Sequence, residues 1–132
     1  MENTSALVTS LELASERIGD PTDAIYSRLF EQHRDIEHLF SMDIDGGVRG
    51  SMLQQAFDCL IDLTDNGALA SVILSSERAN HETYDVPDEL FMSLFDAIKH
   101  TVQLALGADW TPSMEVEWTN TLTRADTLSR TP

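Results

Sequence analysis

Basic residues are scarce in this chain. One lysine, Lys99, and seven arginines stand against 23 acidic residues, for a formal net charge of −15. Phosphate backbones are repelled by such a field, so a nucleic-acid partner is excluded. The acidic residues are spread along the sequence rather than collected in a tail, an excess that suits a salt-rich surrounding where charges are screened. There is a single cysteine, Cys59, which cannot form an internal disulfide and fits a reducing compartment. No run of about 18 apolar residues occurs, which argues against a membrane span. The polar start Met1-Glu2-Asn3-Thr4-Ser5 lacks the basic and apolar parts of a secretion signal. Together these absences predict a cytoplasmic protein. Also missing are internal repeats, a phosphate-binding glycine loop and a nucleophile elbow.

What the chain does contain is apolar residues recurring at three and four, without a useful period-two stretch. Its 132 residues, 42% of them hydrophobic, suffice for one domain (1–132) with a real core. Leu7, Val8, Leu11, Ala14 and Ile18 predict a first helix that stops near Gly19. Asp20 and Pro21 open a second, which buries Ile25, Tyr26, Leu29 and Phe30. A short element with Ile36, Leu39, Phe40 and Met42 runs into the acidic loop Asp43-Ile44-Asp45-Gly46-Gly47. A longer helix, about Val48 to Leu63, presents Met52, Leu53, Ala56, Phe57, Leu60 and Ile61 to the core. A more polar helix, about Ala68 to Asn80, leads to His81. Pro87 is expected to start a strongly amphipathic helix with Phe91, Phe95, Ile98 and Val102, which ends near Gly107. Thr111 and Pro112 open the last, with Met114, Val116, Trp118 and Leu122. The expected class is all-α, with six to eight helices.

Of the histidines, His33 and His38 flank Asp35 and Glu37 and invite a metal reading. Their spacing of five puts the two rings on different faces, so a solvated surface is the preferred reading. Cys59 lies within a helix without a basic neighbour in sequence and is expected to be a small buried filler. His81 is the histidine whose setting is most suggestive. It ends a helix in Arg78-Ala79-Asn80-His81-Glu82-Thr83-Tyr84-Asp85-Val86-Pro87, an arrangement that offers an imidazole nitrogen and then turns the chain away.

Several spaced fragments share this setting. They are Ile25-Tyr26-Ser27-Arg28-Leu29-Phe30, Leu39-Phe40-Ser41-Met42, the His81 segment with Phe91 after it, Leu106-Gly107-Ala108-Asp109-Trp110-Thr111-Pro112, and Trp118. In this order the chain resembles the globin family, specifically bacterial single-domain haemoglobins and the haem domains of flavohaemoglobins. The resemblance covers nearly the whole chain. It implies a globin fold, haem b as cofactor and His81 as the iron ligand. It also implies a cofactor slot built from Phe40, Arg49, Leu53, Phe57, Val86, Phe91 and Phe95, with Met52 contributing. Tyr26, Arg49 and Leu53 would face a diatomic ligand, O₂, NO or CO, with the Tyr26 phenol donating to it. The interval from His81 that places Arg49 tolerates a slip of a residue or two.

Nitric oxide dioxygenation is a further implication, and it would require a separate reductase, because the chain has no room for a flavin domain. A monomer or homodimer is expected. Glu77 departs from the family pattern, because an apolar residue is preferred one turn before the iron ligand. The late glutamate that polarises the histidine in bacterial relatives has no counterpart before Pro132, so Glu77 or a backbone carbonyl would have to take that part. These departures favour an alternative, a globin fold without haem that acts as a sensor or interaction module.

Overall fold

The computed structural model describes residues 5–40, 42–83 and 91–130, with backbone alone at 39, 82 and 83. Six α-helices follow in order: α1 (Ala6–Ile18), α2 (Thr22–Gln32), α3 (Gly47–Leu63), α4 (Ala68–Thr83), α5 (Ser93–Leu106) and α6 (Pro112–Ser129). A 3₁₀ segment, Arg34–Phe40, joins α2 to the loop before α3, and a shorter one, Gly107–Asp109, precedes α6. Among the described residues there is no strand, and no helix is long and apolar enough to cross a membrane.

Apolar faces decide the packing. α2 lies on α5, α3 on α4, and α4 on α6, while α1 crosses both α5 and α6. The core runs through the middle of this stack, with Leu7, Ile25, Leu60, Ile98 and Trp118 fully buried. Burying the indole requires a partner for its N–H, and Trp118 Nε1 donates to Ser10 Oγ at 2.8 Å. Ser10 in turn donates to the Leu7 carbonyl at 2.6 Å. The start of α1 is tied to α6 as well, because the Glu117 carboxylate accepts from Leu7 N and from the Ser5 hydroxyl.

Helix ends follow local chemistry. Thr111 caps α6 by accepting from Met114 N, with Pro112 in the first turn. Asp20 Oδ1 accepts from the backbone N–H and hydroxyl of Thr22, so α2 starts at Thr22 with Pro21 just outside it. Gly67, at φ +74°, turns the chain between α3 and α4 where a β-carbon would collide with the Arg124 guanidinium at 2.6 Å. That guanidinium donates to the carbonyls of Leu63 and Asn66, closing the ends of α3 and α6 on each other.

Several sequence expectations shift. The helix before His81 continues to Thr83, so His81 sits in its last turn rather than beyond its end. The helix expected from Pro87 starts at Ser93, after a turn at Phe91 and Met92, and Pro87 itself lies outside the described residues. Met42, expected inside, is 87% exposed, and Ile18, Ile61 and Val116 also reach solvent. Met42 lies in the loop before α3, and Ile18 and Ile61 lie in the last turns of α1 and α3.

Candidate functional site

Between α3 and α4 lies a narrow apolar slot of about 90 Å³. α3 gives one wall through Met52, Gln55, Ala56 and Cys59, residues spaced three or four apart and therefore on one face. α4 gives the facing wall through Ile73, Leu74, Glu77 and His81, again at helical spacing. Leu29 from α2, Ile36 and Phe40 from the 3₁₀ segment, Phe91 before α5, and Leu94 and Phe95 in its first turn complete the lining.

His81 is held from two directions. Its Nδ1 is 2.6 Å from the Glu77 carbonyl oxygen one turn back. A carbonyl can only accept, so Nδ1 carries the proton and Nε2 of the neutral ring keeps its lone pair. The edge of the ring meets Phe91, with centroids 5.3 Å apart and planes at 85°. Phe91 is itself fixed by the Arg78 guanidinium, 5.0 Å from its ring centre. Arg78 is buried and donates to Asp126 at 3.0 Å and to Ser129 at 2.7 Å, both on α6. A chain of contacts thus runs from α6 through Arg78 and Phe91 to the imidazole.

Tyr26 is placed differently from the sequence expectation. Its hydroxyl donates to the Arg49 carbonyl at 2.9 Å, and it is not among the slot-lining residues. The ring packs against Phe30 and edge-on against Phe40. Burial pushes the phenol well above its ordinary pKa, so it stays protonated. Arg49 also turns away from the slot. Its Nε donates to Asp43 Oδ2 at 3.0 Å and a terminal nitrogen reaches the Asp43 carbonyl at 3.1 Å. The Asp43 carboxylate accepts from the Val48 and Arg49 backbone N–H groups as well, and so serves as the N-terminal cap of α3. The backbone hydrogen bond from Val48, with those from Arg49, holds the Asp43 carboxyl below its ordinary pKa.

The expected slot therefore divides. The structure brings Phe40, Met52, His81, Phe91 and Phe95 together. Leu53 is buried but does not line the slot. Phe57 faces a separate cavity with Ile25 and Val102. Val86 lies outside the described residues. The correction has one cause: the face of α3 turned to α4 starts at Met52, not at Arg49 and Leu53. Gln55 was missed for the same reason. Its half-buried amide, in the same slot as His81, makes no hydrogen bond among the described residues. Counting in threes and fours back from the small buried Cys59 through Ala56 to Met52 would have found that face.

Cys59 is the buried filler expected, 1% exposed at the inner end of the slot. Burial first, and then the nearby Asp58, Asp62 and Glu77, push its thiol up to about 11, so it stays protonated at neutral pH. His33 pairs with the Ser93 hydroxyl across 3.1 Å, and no group of metal ligands occurs among the described residues. Glu77 lines the slot, and its carboxylate has no hydrogen-bond or ion-pair partner among the described residues.

The residues fit haem in three respects: a slot lined almost wholly by apolar side chains, an oriented imidazole with a free nitrogen, and a single polar amide opposite it. Glu77 is the one misfit. The arrangement is that of an all-helical protein with a histidine in an apolar slot between two helices. The globin family model matches residues 23–126, and the chain belongs to the globin family. No curated protein and no solved structure matches it.

Proposed function

We propose that this globin binds haem b in the slot between α3 and α4, with Nε2 of His81 as the iron ligand, and reversibly holds a diatomic gas. The observation that carries this reading is the contact from His81 Nδ1 to the Glu77 carbonyl. It selects the tautomer whose free nitrogen can ligate, and it raises the basicity of that nitrogen. A backbone carbonyl thus takes a polarising role toward the imidazole. Bound haem supplies the iron atom to which O₂, NO or CO attaches.

The protein's part is to bind, orient and exclude water. Phe91 and the Arg78 contact to α6 fix the imidazole plane. Phe40, Phe95 and Leu74 present apolar surface to a planar ring. On the facing wall, the Gln55 amide is free to donate to a bound gas, while the Tyr26 hydroxyl is committed to Arg49. With an external reductase, nitric oxide dioxygenation is within reach of such a site.

The test is an absorbance spectrum of protein expressed with ample haem supply. A Soret band that disappears in His81→Ala supports the reading, and a colourless protein that takes up no added haemin overturns it. One observation favours a second reading, a globin fold that works without haem as a sensor or interaction module. The Glu77 carboxylate would lie against the porphyrin face, where an unpaired charge is costly.

A further inference from the structure

Glu77, a misfit for haem, suits a different guest. Its carboxylate lines an apolar slot with no hydrogen-bond or ion-pair partner among the described residues, and the lining holds no lysine or arginine. Arg78, next in sequence, is committed to Asp126 and Ser129 on α6. A carboxylate left unpaired at an apolar wall is costly, and a bound cation offsets that cost.

The other polar groups of the slot accept as well. Nδ1 of His81 holds its proton against the Glu77 carbonyl, which leaves Nε2 with a free lone pair. The Gln55 amide, without a hydrogen bond among the described residues, offers its Oε1. With the Glu77 carboxylate these make three acceptors, and a primary ammonium group carries three donors. An anion would meet only the uncharged donors of Gln55 and Cys59, and the carboxylate would repel it. The same holds deeper in the slot, where Asp58, Asp62 and Glu77 add to burial in raising the Cys59 thiol, so the potential there is negative.

The rest of the lining suits a short hydrocarbon. Leu29, Ile73, Leu74 and Leu94 give aliphatic surface, and Phe40 and Phe95 add rings of the kind that attract an ammonium group. A volume of about 90 Å³, against about 30 Å³ for one liquid water, has room for a guest of a few heavy atoms. Short aliphatic amines, like the lysine side chain with its pKa of about 10.4, are cations at neutral pH. A net charge of −15 draws them towards the protein.

We propose that the slot, when it holds no haem, is a binding site for a short primary aliphatic amine, its ammonium group held by Glu77, Gln55 and His81. The proposal goes beyond the haem reading and does not rest on it. The two guests exclude each other, because both need the same walls and the same Nε2.

The probe is n-propylammonium chloride, titrated into the full chain expressed without added haem while methyl resonances are recorded. The expected result is saturable shifts at the Leu29, Ile73 and Leu74 methyls. Propan-1-ol, with the same carbon chain and no charge, is expected to bind about tenfold more weakly, as is the ammonium probe in Glu77→Gln, the loss of one charge-assisted hydrogen bond. Absence of saturable shifts, equal binding of the alcohol, or undiminished binding in Glu77→Gln overturns the proposal. If Glu77→Gln does not fold, the two probes compared on the unaltered chain decide the matter. A protein that takes up no haemin but gives these shifts refutes the haem reading and leaves the amine site standing. One that takes up haemin but shows no shifts before loading refutes the amine site alone.

Discussion

A hydroxyl buried beside a backbone carbonyl and an amide left without a partner divide the polar work near the slot. Tyr26 is bound to the Arg49 carbonyl, so using it for a gas ligand requires breaking a 2.9 Å hydrogen bond. Gln55 breaks nothing. We therefore expect Gln55→Leu to speed O₂ dissociation from the haem-loaded protein about tenfold, close to the net worth of one hydrogen bond. Tyr26→Phe is expected to leave that rate nearly unchanged, and the reverse pattern in stopped-flow dissociation would return the donor role to Tyr26. Glu77 is the second residue whose position makes a prediction. A carboxylate facing the porphyrin without a partner penalises haem binding, so Glu77→Leu is expected to slow haem transfer to an acceptor apoprotein about tenfold. A faster transfer would show that the carboxylate helps to hold haem. That His81, Phe40, Phe91 and Phe95 share one slot, with Glu77 one turn before His81, was legible in the sequence. The face of α3 was not, because Leu53, Ala56, Phe57 and Leu60 are all apolar and a wide buried stripe does not say which edge of it meets α4.

The start of α3 depends on two carboxylates of the preceding loop. The helix begins at Gly47 with no side-chain cap from Gly46; Asp45 accepts from the Gly47 N–H, and Asp43 accepts from those of Val48 and Arg49. The same carboxylate accepts from the Arg49 guanidinium, whose carbonyl in turn receives the Tyr26 proton. This cluster pins the start of α3 to α2 and sets the angle at which Met52 and Gln55 reach the slot. Because the folded pKa of Asp43 is lowered, its stabilisation is complete above the ordinary carboxylate pKa and lost as pH falls through the folded value. Asp43→Asn is therefore expected to melt lower than wild type near neutral pH, with the gap narrowing on acidification. A gap that stays constant in thermal melts from pH 7 to pH 3 would show that the carboxylate charge plays no part. Sequence reasoning placed α3 within a residue of its observed start but read Asp43 as loop. The cap stands several residues before the first helical N–H groups, and the local signature of a capping residue next to its helix is missing.

Over the whole molecule, the family match begins at residue 23, yet α1 is part of the core rather than an appendage. Leu7 and Ser10 are fully buried, the latter bonded to Trp118, so α1 and α6 share one core around that indole. Charge acts on the chain as a whole. Most of the few cations are already committed, Arg17 to Asp109, Arg49 to Asp43, Arg78 and Arg130 to Asp126, and Lys99 to Glu115. Among the described residues the other carboxylates form no ion pair, and a net charge of −15 on a chain of this size opposes compaction. Screening shortens the range of that repulsion from about 10 Å at 0.1 M salt to about 3 Å at 1 M. Exposed ion pairs weaken under the same screening, but each contributes less than about 1 kcal/mol, and repulsion among the excess carboxylates is relieved all at once. Melting temperature is therefore expected to rise steadily with sodium chloride up to 1 M. Potassium chloride should match it at equal ionic strength, since the effect is general screening rather than a bound ion. A flat or falling curve would mean that the ion pairs outweigh the repulsion, and a difference between the two salts would point to a specific cation site.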